Sequence, residues 1–464
     1  MNEIKNKRVC YHCVNEEFLK IQIKRVGKIR KCSYCEEKTN SITLLELADK
    51  IDVAFEQYYQ RSSQEPTSWE YHLMSDKESN YHWDRHGSPV VEAIMKAAEI
   101  EENIASDIQE VLGERFFDFE LAAMGEETEF ETESFYEWKS PDDEYWKHEW
   151  EEFERRLKTE TRHFNQFGLK LLDDVFDGID QMRTVDGKSL IRVIGPNTDI
   201  PFLLRARVFQ SDDRLQEALS NPDRHLGPPP QQSALSGRMN ARGISMFYSA
   251  IEEQVAIAEV RPPVGSKVVV TNFKVRKKLK LLDLSAVNKV NTKGSIFDEK
   301  HLHRLQRDIF LRRLSKLMSN PVMPDDEPMD YLITQAIADY LATESKITFD
   351  GIMYPSVQVN NEHINVVLFY KSAKVFPITS TLKVDLGSYT DEGWEWSYSL
   401  KKGRVKSKKK MEPIYHDDLR DVHIPIFKDA NKRECTLEVD VDVIKIHHIT
   451  GVNYRAEEHN VYTY

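Results

Sequence analysis

A chain of 464 residues is too long to organise around one ordinary core, so two to four folding units are expected. Its 40% hydrophobic and 30% charged residues are those of a globular protein, and a net charge of -13 argues against a body that coats nucleic acid through overall charge. No run of about 18 apolar residues occurs, which excludes a membrane-spanning helix. The opening MNEIKNKRVCYHC lacks an apolar signal core, so a cytoplasmic protein is expected.

The first segment, residues 1–41, holds Cys10, Cys13, Cys32 and Cys35 in the spacing C-x2-C-x18-C-x2-C. Each CxxC turn can present two thiolates to one ion, and four thiolates complete a tetrahedral Zn2+ site with no open position for catalysis. A structural zinc ribbon is predicted, with LKIQIKRVGKIRK as a strand, turn, strand between the pairs. The same basic stretch leaves nucleic-acid binding open, against a plain capping role. His12 reads as a bystander, and Cys435 as an ordinary partly buried thiol.

Residues 42–185 change to helical periodicity. SITLLELADKIDVAFEQYYQ predicts a helix capped at Ser41, and Ser88-Pro89 a second helix start. The stretches EETEFETESFYEW and DDEYWKHEWEEFERRLKTETRHF repeat aromatics often enough to predict a folded amphipathic unit.

From about residue 186 strands and helices mix. FLLRARVF, ISMFYSA, KVVVTNFKV, KLLDL and NVVLFY read as strands; EQVAIAEV, HLHRLQRDIFLRRLSKLM and DYLITQAIADYLAT read as helices. The order is not a strict alternation, so an α+β fold is predicted over a doubly wound sheet. Arg205, Arg207, Arg238 and Arg242 supply guanidinium forks suited to phosphate oxygens, and Gly237 and Gly243 let backbone approach a ligand. Glu259 sits at helical spacing from Val255 and Ala256, so it shares their apolar face. A carboxylate there is either paired, with Arg238 as the structural partner, or used. After residue 375, STLKVDL and CTLEVDVDVIKI predict a β-rich extension, 376–464, around a solvated basic loop KKGRVKSKKK.

RAR, GPPP, GRMNxxGIxxFY, the AEVRP run and the later YPS together resemble the RES domain, over roughly residues 192–372. The resemblance implies an ADP-ribosyltransferase-like fold for the catalytic domain, 186–375. It also implies an enzyme that degrades NAD+ by phosphorolysis or hydrolysis, as in the toxin half of Xre–RES toxin–antitoxin pairs. Carried onto this sequence it names Arg238, Glu259 and Ser356 as catalytic, and Arg205, Tyr248 and Arg238 as holding NAD+. Gln335 matches a recurring helix position. Glu259 would stabilise the oxocarbenium-like ribose, the arginines would hold pyrophosphate or recruit inorganic phosphate, and Tyr248 would offer a stacking face. An ADP-ribosyltransferase acting on a macromolecule, or a nucleotide sensor without turnover, are the alternatives. The preceding helical segment is similar in placement and texture to a HEPN-like N-terminal domain, with Arg156 and His163 fitting R-x6-H on one helix face. Restraint by that N-terminal region, an antitoxin or trigger partner, antiphage defence and a homo-oligomer are the expectations that follow.

Overall fold

The computed structural model describes residues 2–461, apart from 77, 324, 357, 360–362, 391–392, 406–432, 454–455 and 457. The chain divides into two compact units: residues 1–146 with 292–309, and residues 147–291 with 310–464. Among the described residues no helix is long and apolar enough to cross a membrane.

The first unit opens with strand β1 (Arg8–Cys10), helix α1 (Glu17–Val26), β2 (Lys28–Lys31) and β3 (Lys38–Thr43), the strands ordered β1-β3-β2. The stretch predicted as a hairpin is a helix over its first half. Leu19 and Ile23 stand one helical turn apart and both are buried, and the Glu16 side chain accepts from the Leu19 N–H at 2.7 Å. Short apolar alternation is compatible with either period, and packing chose the helix. Gly27 marks the switch to β2: a Cβ there would meet the Ile23 carbonyl oxygen at 2.4 Å.

Helices α2 (Leu44–Tyr58), α3 (Val90–Ala98) and α4 (Glu102–Phe116) bury Leu47, Ile51, Phe55, Ile94, Ile108 and Leu112 in one core with Val9 and Leu19. The cap of α2 is Thr43 rather than Ser41. Thr43 Oγ1 accepts from the Glu46 N–H at 3.2 Å, and Glu46 accepts from the Thr43 N–H at 2.7 Å, a reciprocal pair. Ser41 is instead held in β3, opposite Cys10 and Lys28. A small sheet, β4 (Tyr59–Arg61), β5 (Ser88–Pro89) and β6 (Phe135–Trp138), takes up the acidic aromatic stretch, and Tyr136 and Phe130 pack on Phe55.

In the second unit α5 (Glu144–Thr159) and α6 (Gln166–Val175) precede the large sheet. Arg156 lies on α5, paired with Glu152 and stacked on Phe167, whereas His163 lies beyond the helix end and is exposed. The R-x6-H pair therefore does not share a helix face, because the helix stops at Thr159.

The strands β7 (Ile191–Ile194), β8 (Phe202–Phe209), β9 (Phe247–Ala250), β10 (Lys267–Val275), β11 (Leu279–Asp283), β12 (Gly351–Pro355), β13 (Ile364–Leu368) and β16 (Leu437–Val439) run in the order β16-β10-β8-β9-β13-β12-β11-β7. β17 (Lys445–His448) also pairs β10, and β14 (Ser380–Thr390) pairs only β15 (Gly393–Val405) among the described residues. Of the basic run at 401–410, the first five residues close β15 and the rest lie outside the described residues. Of the sheet's neighbouring pairs β11 and β12 are parallel and the others antiparallel, so the fold is mixed α and β as expected. Helices α7 (Asp212–Ser220), α8 (Glu253–Glu259), α9 (His301–Ser319) and α10 (Glu327–Thr343) complete the unit, α9 entering it at Phe310. One sheet face packs Leu203, Phe247, Phe273 and Met353; the other packs Ala206, Ala250, Val268 and Val270 against Val255 and Ala256 of α8.

Replacing Thr43 removes the reciprocal cap. Thr43→Ala is expected to lower the stability of the first unit by about 1 kcal/mol, read as a shifted urea midpoint at unchanged slope.

Candidate active site and metal centre

The metal centre is the simpler of two sites. The ligand atoms of Cys10, Cys13, Cys32 and Cys35 all lie within 4.8 Å of one another. Sγ separations are 3.8 Å for Cys10–Cys13, 3.4 Å for Cys10–Cys35 and 3.8 Å for Cys13–Cys32. A tetrahedron with metal–sulfur bonds of about 2.3 Å has edges of about 3.8 Å, so the four thiols can hold one metal ion. Their acid–base properties conflict without it. Burial and the nearby Cys35 push Cys10 up to about 11. Burial would raise Cys32 too, but the backbone amides of Cys35, Tyr34 and Cys10 outweigh it and bring it down to about 7. A cation removes the conflict by deprotonating coordinated thiols outright. His12 bonds Glu37 at 2.6 Å and stands outside the cluster, as does Cys435.

The second site begins at α8. Its last residue, Glu259, is followed by Arg261 with φ of 44°, and Pro262 and Pro263 end the helix. Glu259 lies on the side of α8 that faces the sheet, as its spacing from Val255 and Ala256 requires, but at the helix end it stays exposed while they are buried. One carboxylate oxygen is nevertheless fixed. Glu259 Oε1 accepts from Ser356 Oγ at 2.7 Å and from Asn365 Nδ2 at 2.6 Å. Both donors are buried, Ser356 at 0% and Asn365 at 3% exposure. A carboxylate at a helix C-terminus faces the negative end of the dipole, and these two donors offset that penalty. Oε2 has no hydrogen-bond partner among the described residues.

The donors are placed by the sheet. Tyr354 of β12 pairs with Asn365 of β13, and Asn365 with Ala250 of β9, so all three face α8. Ser356 follows Pro355, and its N–H bonds the His363 carbonyl at 2.7 Å. Asn365 Oδ1 is buried without a partner. Burial, then the Glu259 carboxylate, push the Tyr354 phenol well above its usual range.

The GRMN turn is held in place from both sides. Asn240 Nδ2 donates to the carbonyls of Leu235, Ala241 and Ile244, and Gln335 Nε2 donates to those of Gly237 at 2.8 Å and Asn240 at 3.0 Å. Tyr248 OH donates to Asn240 Oδ1 at 2.6 Å and accepts from the Met239 N–H at 3.1 Å. The hydroxyl of Tyr248 is therefore committed to the turn. Gly237 is required by this same phenol, since a Cβ would lie 2.8 Å from its oxygen; the close backbone approach is to Tyr248. Arg238 lies over the Tyr331 ring at 5.3 Å and donates to the Met318 carbonyl at 3.1 Å. Among the described residues it makes no ion pair with Glu259, so the structural Glu259–Arg238 pair is not formed.

Arg205 and Arg207 sit where β8 and β9 part. Those strands share the single pair Leu204↔Ala250. Across the opening Arg205 Nη1 donates to the Tyr248 carbonyl at 2.8 Å, with its guanidinium over Phe247. Arg207 donates to the Gly227 carbonyl at 3.0 Å. Nε of each is buried without a partner, and neither has a carboxylate within ion-pair distance among the described residues. Burial, with Arg207 beside it, pushes Arg205 down to about 9. Buried guanidinium groups without counter-ions define a place where an anion is strongly favoured. Arg242 is exposed and takes no part.

Of the residues singled out in the sequence, Glu259 and Ser356 are in direct contact. Arg238 and Tyr248 meet at the GRMN turn, and Arg205 reaches Tyr248 through its carbonyl. Asn365 was missed: in NEHINVVLF it looks like one more polar residue at a strand edge, and only its pairing with Tyr354 aims it at Glu259.

The large sheet thus carries a carboxylate with one open oxygen and two buried guanidinium groups without ion-pair partners among the described residues. A family model, the RES domain, matches residues 205–387, and the chain carries a RES domain. That family is associated with NAD-acting enzymes. No curated protein and no solved structure matches the chain.

Inorganic pyrophosphate is expected to raise the thermal midpoint of the protein, and Arg205→Gln to abolish that shift in a melting assay with and without the anion. Metal analysis is expected to find one ion per chain, and Cys13→Ser to lose the ion and unfold the first unit at lower temperature.

Proposed function

We propose that the RES domain cleaves the bond between nicotinamide and ribose in NAD+, by phosphorolysis or hydrolysis. The observation that carries this is the Glu259 carboxylate, with Oε1 held by two buried donors and Oε2 open. As the C–N bond breaks, its electron pair leaves with neutral nicotinamide and positive charge develops on the ribose carbon. A fixed carboxylate stabilises that charge without having to reorganise. An oxygen of inorganic phosphate, or of water that gives up a proton to the solvent, then bonds to the same carbon, giving phosphorylated ADP-ribose or ADP-ribose. Arg205, Arg207 and Arg238 supply the charge for the pyrophosphate, and Ser356 orients Glu259. Tyr248 shapes the turn and leaves its ring face for the substrate.

The ADP-ribosyltransferase-like fold belongs to this proposal, supported by the mixed sheet in which β8 and β9 share the single pair Leu204↔Ala250. So does Zn2+ as the ion of the four-thiolate centre, whose all-sulfur ligand set is that of a closed structural site. NAD+ loss is damaging to a cell, so the role proposed is a toxin or defence effector, restrained by the N-terminal region or by an antitoxin or trigger protein.

Purified protein with NAD+ is expected to release nicotinamide, and the sugar product, read by mass spectrometry with and without phosphate, separates phosphorolysis from hydrolysis. Glu259→Gln keeps an oxygen for Ser356 and Asn365 but not the charge. It is expected to lower kcat by about 100-fold or more with an unchanged melting midpoint. Turnover at the parental rate would overturn the assignment, and ADP-ribose found on protein would point to a transferase.

A further inference from the structure

Residues 1–41 carry ten Lys and Arg against five Glu, in a chain whose net charge is -13. These cations fall into two groups. Lys5 and Lys7 turn to α4 and pair with Glu114 at 2.9 Å and Asp107 at 2.6 Å. Arg25, Lys28 and Arg30, on α1 and β2, are exposed and make no ion pair among the described residues, although Lys28 is near enough to Glu46 to help lower its pKa. Lys24 beside them is exposed and lies over the Tyr11 ring. Attraction to the acidic body therefore does not account for the second group.

All four residues of β2 are exposed, and β2 pairs only with β3 among the described residues. Lysines on an edge strand ordinarily serve to block pairing with another sheet. Here the ridge also carries exposed Ile21 (57%), Val26 (60%) and Ile29 (63%), which blocking does not need. Beside it lies a groove of about 550 Å3, lined among others by Val26, Lys28, Lys50, Glu46 and Asp49. That volume suits a mononucleotide-sized group. Glu46 is taken up by the Thr43 cap and Asp49 by Arg115 at 2.6 Å, so the aliphatic walls can pack a base while the lysines and arginine of the ridge neutralise phosphates. An anionic bilayer fits less well. The groove is concave and holds carboxylates, and the ridge lacks the large aromatic and Leu side chains that insert at a membrane surface.

We infer that the face formed by α1, β2 and the adjoining groove of the first unit binds a nucleic-acid strand through its phosphates. The site is separate from the residues assigned to NAD+, so the two assignments succeed or fail independently. The test uses the full, metal-bound chain and fluorescence anisotropy with a labelled RNA oligonucleotide and a duplex DNA, and vesicles containing phosphatidylserine in parallel. Binding to either nucleic acid is expected, weakening between about 50 and 200 mM salt by about 40- to 150-fold for duplex DNA and about 20- to 50-fold for single-stranded RNA at three or four phosphate contacts. The double variant Lys28→Glu, Arg30→Glu is expected to bind at least about tenfold more weakly with unchanged metal content. Lys96→Glu, at an exposed α3 residue paired with Glu92, is expected to bind as the parent. No binding, equal binding by the double variant and the parent, or binding to vesicles alone would overturn the inference.

Discussion

The hydrogen bonds from Ser356 and Asn365 to one oxygen of Glu259 tie the sheet to the end of α8. Both donors are buried, and a buried donor left without an acceptor costs about 1–3 kcal/mol. Glu259 is thus required by the fold at the same time as its second oxygen is left open. The direction of the carboxylate is decided by strand pairing, since Tyr354, Asn365 and Ala250 stand in register on one face. The helix itself contributes little, being seven residues long and ended by Pro262 and Pro263. Its start is held by charge: Glu253 pairs with Lys445 of β17 at 2.6 Å. The C-terminal strand therefore helps to set the helix that carries Glu259.

Electrostatics divide the molecule by purpose. Its surface is acidic on balance, yet Arg205, Arg207 and Arg238 are kept without carboxylate partners among the described residues. They are supported by backbone carbonyls and aromatic rings, which satisfy some N–H groups and leave the charge uncancelled. A carboxylate in their place would have made a more stable protein and a poorer anion site. The four thiols make the opposite arrangement, a set of ligands so close that they call for a cation.

Several features were legible in the sequence because they rest on short-range chemistry. The cysteine spacing predicts a cluster whatever lies between, since each CxxC turn is local. β8, β9, β10, β11 and β13 follow from β-branched and apolar runs bounded by turn residues, whereas β7 and β12 are not among the predicted strands, and Pro-Pro after Arg261 predicts the helix end. The features that were misread depend on competition between elements. LKIQIKR satisfies a strand and a helix pattern at once, and α1 forms because the core accepts Leu19 and Ile23 one turn apart. Ser41 and Thr43 are both good caps, but β3 runs on to Thr43, so the helix starts only at Leu44 and Thr43 is the residue in the capping position. His163 lies at helical spacing from Arg156, but the helix stops short of it.

The sequence by itself determined the chemistry available: four thiols in two turns, a carboxylate before a Pro-Pro stop, a hydroxyl after Tyr-Pro, and arginines around a glycine-bounded turn. Each follows from residue type and near neighbours. Only the tertiary structure decided which of these meet. Glu259 binds Ser356 and the unsuspected Asn365, Arg238 goes to a ring and a carbonyl, and Tyr248 becomes the prop of its own turn. The reason is that strand register and the parting of β8 from β9 join residues up to 106 positions apart, and no local pattern records which side chain a distant strand will offer.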